Sequence, residues 1–321
     1  MAEAGAPLTL RSRVPADARG MRLLDFLAER FRYHDRARWQ RELAERRLSL
    51  DGRPATGDEP LRAGMRLVYE KQHVEPPVDD RIGVLHEDED LLAVDKPAHL
   101  PMHADGPFIR NTLIGLLRTR RGEPDLQLVH RLDRETSGLC LVAKSQRAQL
   151  SLQQQFRDGT VQKTYAAVVH GRVAGPLHID LPIGHKNGAE VRLRRSAAPD
   201  ALQPRPARTD CTVLEHGSSR TLLACQPRTG RTHQIRVHLE AVGHPIVGDR
   251  LYGRSDADYL AFVRHVKAAG SVHDVPHGEP DRQLLHALEI VFDHPGAGRR
   301  TTLRAPLPPV FGEFLHSTTS R

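Results

Sequence analysis

Apolar positions near the N terminus recur with the 3.6-residue period of helices and then give way to strand-like runs. The pattern over residues 21–31 predicts one amphipathic helix. Asp35 has the side chain of a helix N-cap and predicts a second helix directly after it. Residues 48–50 and 65–69 have strand character and enclose turn-forming residues. This part of the chain is therefore predicted to form a helix pair followed by a small hairpin.

The rest of the chain is dominated by short strand-like runs with a few helical patterns between them. The predicted strands cover residues 91–94, 126–129, 139–143, 162–170, 209–215, 220–227, 284–292 and 301–304. The predicted helices cover residues 111–119, 147–157 and 255–269, with Gly159 ending the second of these. Strands and helices do not alternate regularly, and no internal repeat is visible. We therefore predict an α+β fold with a mixed, mainly antiparallel sheet flanked by helices.

Changes in composition mark the predicted domain boundaries. Residues 1–8 are expected to form a disordered tail, 9–71 a small α/β module, 72–83 a linker containing two prolines, and 84–316 the larger domain. A basic stretch rich in proline and alanine, residues 182–208, is expected to form a long hairpin or a mobile loop. Either form could lie on a polyanion, and the sequence leaves the order of residues 184–208 open.

The charge of the 321-residue chain favours an anionic partner. The formal net charge is +7, the sequence pI is near 9.6, and arginine greatly outnumbers lysine. Guanidinium groups bind phosphate in a bidentate manner, so nucleic acid is the leading candidate. Arg36, Arg38 and Arg41 of the second predicted helix have few acidic neighbours in sequence and are expected to bind RNA phosphates. The alternative is an ordinary solvated helix face.

Other features of the sequence exclude several classes of protein. The three cysteines, Cys140, Cys211 and Cys225, lack the spacing of a zinc site or a disulfide framework. His99 and His103 lie in a proline-containing loop without a nearby acid pair, and His233 and His238 would face opposite sides of a strand. We therefore expect no metal. No apolar run spans a membrane and no signal peptide is visible, so we expect a cytoplasmic monomer.

One polar turn holds the strongest candidate for chemistry. Residues 128–144 read LVHRLDRETSGLCLVAK, in which Asp133 stands between Arg131 and Arg134. Nearby positive charge keeps a carboxylate ionised, as a nucleophile or a base requires. The alternative is a surface turn with a salt bridge, which is common. No phosphate-binding loop or nucleophile-elbow sequence accompanies it.

Five ordered motifs resemble the RluA-type RNA pseudouridine synthases. They are HRLDRETSGL at 130–139, KTYAAVV at 163–169, RTGRTHQIRVH at 228–238, GHPIVGDRLYG at 243–253 and LLHA at 284–287. The resemblance runs from residue 84 to residue 314. It departs from the family at His99, where glycine is frequent. Residues 22–27, 46–67 and the helix from Arg36 resemble the small RNA-binding module named after the small-subunit ribosomal protein four. Asp35 replaces the serine usual in that module.

The resemblance implies isomerisation of uridine to pseudouridine in structured RNA, without a metal or an organic cofactor. It implies that Asp133 is the catalytic carboxylate, acting at C1′ or C6 of the nucleotide or as a base. Tyr165 would stack on the uracil and handle the proton at C5, and Arg236 would pair with the carboxylate. Arg131 would fill the gap that the flipped nucleotide leaves, and Arg231 would contact the substrate. From the residues alone, Tyr165 could equally be a cross-strand packing residue and Arg236 a surface arginine on a strand.

The substrate implied is ribosomal RNA of the large subunit, because enzymes of this family that act on it carry an additional RNA-binding module. This inference is an analogy at the level of fold. Three alternatives stay open. They are a pseudouridine synthase for transfer RNA, a non-catalytic RNA-binding factor in ribosome assembly, and a nucleoside hydrolase. Lys96 and His130 are expected to be structural or to lie next to a phosphate, and Leu285 to belong to the core or the site wall.

Overall fold

A computed structural model describes residues 8–269, 273 and 279–317, and it divides the chain into two compact units, Met1–Pro76 and Pro77–Arg321. Residues 1–7 of the predicted tail lie outside the described part. The assignment of residue 8 to that tail is wrong, because Leu8 begins the first strand. Among the described residues, no helix is long and apolar enough to cross a membrane.

The N-terminal unit packs two helices against a four-stranded sheet. Its elements are β1 Leu8–Arg13, α1 Leu23–Arg30, α2 Arg36–Ala44, β2 Leu48–Leu50, β3 Arg53–Pro54 and β4 Arg66–Lys71. The strands pair antiparallel in the order β1-β4-β2-β3. The predicted helix pair is confirmed, including the Asp35 side chain, which accepts a 2.7 Å hydrogen bond from the Arg38 amide. Trp39 is almost fully buried at the centre of this unit.

The C-terminal unit contains thirteen strands and five helices in the part of the chain that is described. The strands are β5 Gly83–Glu87, β6 Leu91–Lys96, β7 Gln127–Leu128, β8 Ser137–Ala143, β9 Gln162–His170, β10 Leu177–Asp180, β11 Ile183–His185, β12 Arg195–Ser196, β13 Leu202–Arg205, β14 Arg208–His216, β15 Arg220–Pro227, β16 Leu285–Asp293 and β17 Arg300–Arg304. The helices are α3 Leu113–Arg121, α4 Gln146–Asp158, α5 Gln234–Ala241, α6 Asp256–Ala269 and α7 Val310–His316.

Ten of these strands form one mixed sheet, which confirms the predicted fold class. Eight strands follow the order β10-β14-β15-β9-β16-β8-β6-β5, with β17 beside β16 and β7 beside β8. The described pairings are antiparallel except the one between β16 and β8. Strand β16 comes late in the chain but lies at the centre of the sheet, between β9 and β8. This order brings the turn before β8 close to β9. Cys140 and Cys225 are buried core residues, as predicted.

The basic stretch at 182–208 is ordered as the hairpin alternative predicted. Strands β11, β12 and β13 form a separate three-stranded antiparallel sheet in the order β12-β11-β13. Its small apolar cluster includes Ile183 and Val191 from this stretch, together with Val237, Leu251 and Tyr252 from the segment that follows β15. The stretch is therefore packed against the region that contains the HQIRVH motif.

The interpretation of residues 233–238 as a strand is wrong, because α5 begins at Gln234. Ile235, Val237 and Leu239 alternate with polar residues, which imitates the two-residue period of a strand. The helix is instead buried on all sides, and Arg236 and His238 are as enclosed as its apolar residues. A helix without a solvent-facing side has no amphipathic pattern. Strand β5 and helix α7 are also absent from the prediction. The sequence predicts a loop at residues 271–282, and most of these residues lie outside the described part of the chain.

Gly138 allows the parallel contact at the centre of the sheet. Its φ is +105°, and it lies opposite Ala287 in the pairing of β8 with β16. A Cβ on Gly138 would stand 2.8 Å from the Ala287 nitrogen and closer still to its carbonyl oxygen. We expect Gly138→Ala to lower the free energy of unfolding by at least about 2 kcal/mol, since strain and a backbone clash combine.

Gly159 gives a matched control for this prediction in urea denaturation. Its φ is +72°, but no atom lies within 4 Å of a Cβ built there. Gly159→Ala therefore introduces backbone strain alone, which costs about 1 kcal/mol. Equal losses in the two variants would show that the close approach at Ala287 contributes nothing.

Candidate active site

The turn between β7 and β8 presents Asp133 and is fixed by contacts on several sides. The Thr136 amide donates to the Asp133 carbonyl at 3.1 Å, and the Gln283 side chain donates to the Thr136 hydroxyl at 2.8 Å. The fully buried Lys96 Nζ donates to the Arg134 carbonyl at 3.0 Å and to two carbonyls of its own loop. These contacts match the structural alternative predicted for Lys96, because its ammonium group holds the turn through the Arg134 carbonyl.

Arg236 connects Asp133 to a second, fully buried carboxylate. Its Nη1 donates to Asp133 Oδ2 at 2.8 Å. Its Nε and Nη2 donate to the two oxygens of Asp249 at 2.6 and 2.9 Å, in a bidentate pair. The Tyr252 ring lies beneath the guanidinium, 4.9 Å from its carbon. Arg236 is therefore a buried helical residue whose orientation is fixed on every side, and the surface-strand alternative is wrong.

Asp249 owes its position to the tight turn that contains Gly248. The φ of Gly248 is +78°, and a Cβ there would collide with the Arg282 carbonyl. Asp249 Oδ1 also accepts hydrogen bonds from the Leu251 and Tyr252 amides at 2.9 and 3.0 Å. The GHPIVGDRLYG motif thus builds a receptor for one guanidinium. Asp249 received no role from the sequence, although its place directly after a glycine in a motif was the available signal.

His233 is a neutral hydrogen-bond donor beside Asp133. The Tyr252 hydroxyl accepts from the Arg195 amide at 3.1 Å and lies 2.8 Å from His233 Nδ1. We assign the imidazole hydrogen to Nε2, because that nitrogen faces Asp133 Oδ1 at 4.0 Å and a lone pair there would be repelled by the carboxylate. The Tyr252 hydroxyl then donates its hydrogen to Nδ1. Burial, reinforced by Arg236, lowers the pKa of His233 to about 4. Its backbone adopts a φ of +58°, an uncommon conformation for a residue other than glycine.

The charge on Asp133 is set by its cationic neighbours. Burial alone would raise the pKa of Asp133, but the positive charge of Arg236, with a smaller contribution from Arg131, outweighs it and leaves the pKa below its ordinary value. The carboxylate is therefore ionised at neutral pH. Among the described residues, Oδ2 has a hydrogen-bond donor and Oδ1 has none, so Oδ1 is available to a substrate.

Tyr165 lies in β9 at the wall of the same pocket. It pairs with Cys225 on one side and Ala287 on the other, so both interpretations of this residue have a basis: it packs in the sheet and it borders the cavity. Burial raises the pKa of Tyr165, and the charge of Asp133 raises it further. The phenol is therefore neutral. Leu285, whose side chain is also buried, contributes to the same wall.

A cavity of about 770 Å³ brings together Asp133, Tyr165, Arg236, Arg131 and Arg231. Arg131 is exposed, whereas Arg231 Nε donates to the Pro206 carbonyl at 3.0 Å. The arginines that line this cavity are Arg131, Arg157, Arg205, Arg228, Arg231 and Arg236. This density of guanidinium groups around an ionised carboxylate suits a polyanion that carries a reacting group into the pocket.

The N-terminal arginines lie in the other unit, and their charges are partly compensated. Arg36 Nη1 stands 2.5 Å from Asp25, and Arg38 Nε stands 2.6 Å from the fully buried Glu42. The expectation of few acidic neighbours overlooked Glu42, which follows Arg38 by four positions on the same helix, whereas Asp25 reaches Arg36 from α1 through the fold. Arg41 is exposed.

Comparison with known proteins finds relatives over most of the chain. A model of the RNA pseudouridylate synthase family matches residues 90–241. Ribosomal large subunit pseudouridine synthase D of Nitrosomonas europaea is 33% identical over 331 residues, covering 98% of this chain and 91% of that protein. The protein of the same name from Pseudomonas aeruginosa is 33% identical over 307 residues, covering 93% of this chain and 92% of its own length.

A solved structure shows the same fold. Human RNA pseudouridylate synthase domain containing 1 superposes with a TM-score of 0.58 and is 28% identical. The match covers 75% of this chain and 89% of the human chain. The five motifs, the paired carboxylate and arginine, and the sequence similarity over nearly the whole length lead to one conclusion: the chain belongs to the RluA family of RNA pseudouridine synthases.

Proposed function

We propose that the protein is a cytoplasmic, monomeric pseudouridine synthase that modifies large-subunit ribosomal RNA, with Asp133 as the catalytic carboxylate. The observation that carries the proposal is the ionised Asp133, held at 2.8 Å by the buried Arg236 at the wall of an arginine-lined cavity. A binding protein without catalysis has no need of a buried arginine that is oriented on all sides to present one carboxylate.

The reaction breaks the N1–C1′ bond of uridine and forms a C5–C1′ bond. The proton of C5 is released and N1 gains one, so the product is an isomer and no water is consumed. Asp133 Oδ1, which has no donor in the described structure, can stabilise or trap positive charge that develops at C1′. It can also add to C6 of the base or remove a sugar proton. In each case Arg236 keeps the carboxylate ionised and limits its rotation.

We assign Tyr165 to contact with the uracil ring. Its neutral phenol can stack on a flipped uracil and accept or donate a hydrogen bond, while the raised pKa prevents it from carrying a standing negative charge beside Asp133. Because the phenol is protonated, it can accept the C5 proton only while it releases its own hydroxyl proton. We therefore assign stacking as its first role and proton transfer as a step that follows bond rearrangement.

His233 is assigned to the uridine as well. The network from Arg195 through Tyr252 directs its Nε2 hydrogen toward the side on which Asp133 lies. The 4.0 Å gap is too long for a direct hydrogen bond, and a ribose hydroxyl or a uracil carbonyl could accept from His233 there. A neutral donor adds no charge to compete with Arg236. His233 was absent from the predicted site, because its segment was interpreted as a strand.

The arginines of the cavity are assigned to the RNA backbone and to the flipped nucleotide. Arg131 is exposed at the rim, two residues before Asp133, where its planar guanidinium can fill the space that an extruded base leaves. Unstacking a base costs a few kcal/mol, so a residue that occupies the gap lowers the cost of flipping. Arg231 is fixed against the hairpin stretch and can bind a phosphate in a set position.

The N-terminal unit is assigned as an RNA-binding module of the kind named after the small-subunit ribosomal protein four. Arg41 and the exposed parts of Arg36 and Arg38 would contact phosphate, though the ion pairs with Asp25 and Glu42 reduce the charge that the latter two offer. The names of the relatives from Nitrosomonas and Pseudomonas support large-subunit ribosomal RNA as the substrate.

The substrate class is tested by incubating the purified protein with deproteinised large-subunit ribosomal RNA and, separately, with total transfer RNA, both from cells that lack the gene. Pseudouridine formed is then quantified by mass spectrometry. Product in ribosomal RNA alone supports the proposal. Product in transfer RNA alone shows a transfer-RNA enzyme, free uracil shows a hydrolase, and binding without product shows an assembly factor.

Arg131 should matter most where flipping is hardest. We expect Arg131→Ala to lower turnover about tenfold or more on a base-paired target, and less on an unpaired loop of the same sequence, because an unpaired base costs less to extrude. Arg157→Ala, in α4 at the same cavity, serves as the control for general loss of positive charge. An equal loss on both RNAs in the Arg131 variant would contradict its role in flipping.

A further inference from the structure

The loop after β6 buries a histidine whose ring nitrogens have no hydrogen-bond partner in the described part of the chain. His99 is 7% exposed, and neither of its ring nitrogens meets a hydrogen-bond partner. Its backbone adopts a φ of +60°, a conformation that favours glycine. Burying a polar ring without partners costs free energy, and the backbone strain adds to that cost. A ligand that binds these ring nitrogens would offset that cost.

Two potential ligands face the His99 ring from the segment before β16. Asp281 Oδ2 lies 3.6 Å from His99 Nε2, too far for a hydrogen bond. His273 Nδ1 donates a hydrogen bond to the same carboxylate oxygen, which a bound ion would replace, and its ring centre lies 5.0 Å from that of His99. One ligand atom from each of the three residues lies within 4.8 Å of the others. The expectation that His99 has no acid nearby is therefore wrong, because the acid comes from a segment 182 positions later in the chain.

We propose that His99, His273 and Asp281 bind a divalent transition-metal ion of the zinc class. Two imidazoles and a carboxylate are the donors that zinc prefers, with water as a fourth ligand. At metal–ligand distances of about 2.1 Å, tetrahedral ligands stand roughly 3.4 Å apart, close to the separation of His99 Nε2 from Asp281 Oδ2. The His273 side chain is 60% exposed, which gives an ion a route from solvent.

A second histidine–aspartate cluster in the same unit has a different hydrogen-bond pattern. His86 and His294 both contact Asp88 Oδ2 at 2.8 Å. The Nδ1 of His294 accepts from the Ala297 and Gly296 amides at 3.0 and 3.2 Å, so its hydrogen is on Nε2 and is donated to Asp88. Both ring nitrogens of His294 are therefore engaged, whereas both ring nitrogens of His99 are buried without a hydrogen-bond partner among the described residues. This cluster is a closed hydrogen-bond network and gives a matched control.

The proposed ion would connect two segments that support the catalytic turn. The loop of His99 contains the Leu100 carbonyl, which accepts from Lys96 Nζ, and the same Nζ donates to the Arg134 carbonyl in the catalytic turn. Asp281 is two residues before Gln283, whose side chain donates to the Thr136 hydroxyl in that turn. His99 and Asp281 do not line the substrate cavity. The ion would thus act as a structural clamp on the supports of the active site and take no part in the chemistry.

The test uses full-length protein without a polyhistidine tag, stripped with a chelator and titrated with Zn²⁺ by calorimetry, with metal content read by mass spectrometry. We expect one equivalent to bind and the melting temperature to rise by at least about 2 °C. His273→Ala and Asp281→Asn should weaken binding about 100-fold or more. His86→Ala should bind as the wild type does.

His99→Gly separates metal binding from folding. Glycine adopts a φ of +60° without strain, so the backbone of the loop is retained while the ligand is lost. We expect this variant to show no rise in melting temperature with Zn²⁺. The proposal is overturned if the wild type binds no zinc at micromolar concentration, or if His273→Ala and Asp281→Asn bind it as tightly as the wild type. Loss of binding in His86→Ala would equally overturn it.

Discussion

Asp133→Asn should abolish pseudouridine formation and leave the protein folded. The amide has the shape of the carboxylate but lacks its charge and its nucleophilic oxygen, so turnover should fall by at least about 10³-fold. The loss of charge leaves Arg236 its bidentate pair with Asp249, so the buried guanidinium keeps a counter-charge. We therefore expect the free energy of unfolding to change by no more than about 1 kcal/mol.

The measurement combines three assays on one variant. Product is quantified in ribosomal RNA, affinity for the same RNA is measured by filter binding, and stability is measured by urea denaturation. We expect product formation to vanish, while RNA affinity and the free energy of unfolding stay near the wild-type values. If turnover survived in the folded variant, Asp133 would not be the catalytic carboxylate. If stability collapsed instead, Asp133 would be a structural partner of Arg236.

Asp249→Asn should mainly destabilise the fold, whereas Asp133→Asn should mainly abolish activity. Asp249 is fully buried, accepts four hydrogen bonds and supplies two of the three contacts that hold Arg236. The NH2 group of asparagine is a donor. It would face either the guanidinium or the backbone amides, which are donors as well. Breaking a buried ion pair in this way costs about 3–5 kcal/mol. We also expect kcat to fall roughly tenfold or more with little change in KM, because Arg236 no longer orients Asp133.

An exposed ion pair of similar distance gives the control for Asp249. Glu289 and Arg304 pair across β16 and β17 at 2.6 Å, and Arg304 is largely exposed. Glu289→Gln should cost less than about 1 kcal/mol and leave kcat unchanged. If Asp249→Asn were as mild as Glu289→Gln in thermal and urea denaturation, the buried pair would not be what fixes Arg236.

The sequence predicted the parts of the fold in which local pattern and burial agree. Among helices with one solvent-facing side, the start of α2 after its Asp35 cap was predicted, and α4 with its terminal Gly159 was predicted to within one residue at each end. Strand β9 was predicted residue for residue. Helix α5 was missed because burial on all sides removes the amphipathic period and leaves an alternation that imitates a strand.

The predicted core of the active site, Asp133, Tyr165 and Arg236, proved to be one cluster. The residues that position this cluster were not predicted, because their role depends on distant pairing. Asp249 follows Arg236 by 13 positions and meets it only through the fold. The tautomer of His233 depends on Tyr252 and on an amide of the hairpin stretch, which no local pattern reveals. Similarly, Asp25 of α1 compensates Arg36 of α2 only through the fold, whereas the spacing of Arg38 and Glu42 was visible in the sequence.

The central claim is that this chain isomerises uridine in large-subunit ribosomal RNA through Asp133. It is tested most directly by mapping pseudouridine at single-nucleotide resolution in total RNA from cells that lack the gene and carry either the wild-type chain or Asp133→Asn. We predict that defined sites in large-subunit ribosomal RNA are modified with the wild-type chain and unmodified with the variant. Identical maps in the two strains, or differences confined to transfer RNA, would contradict the account.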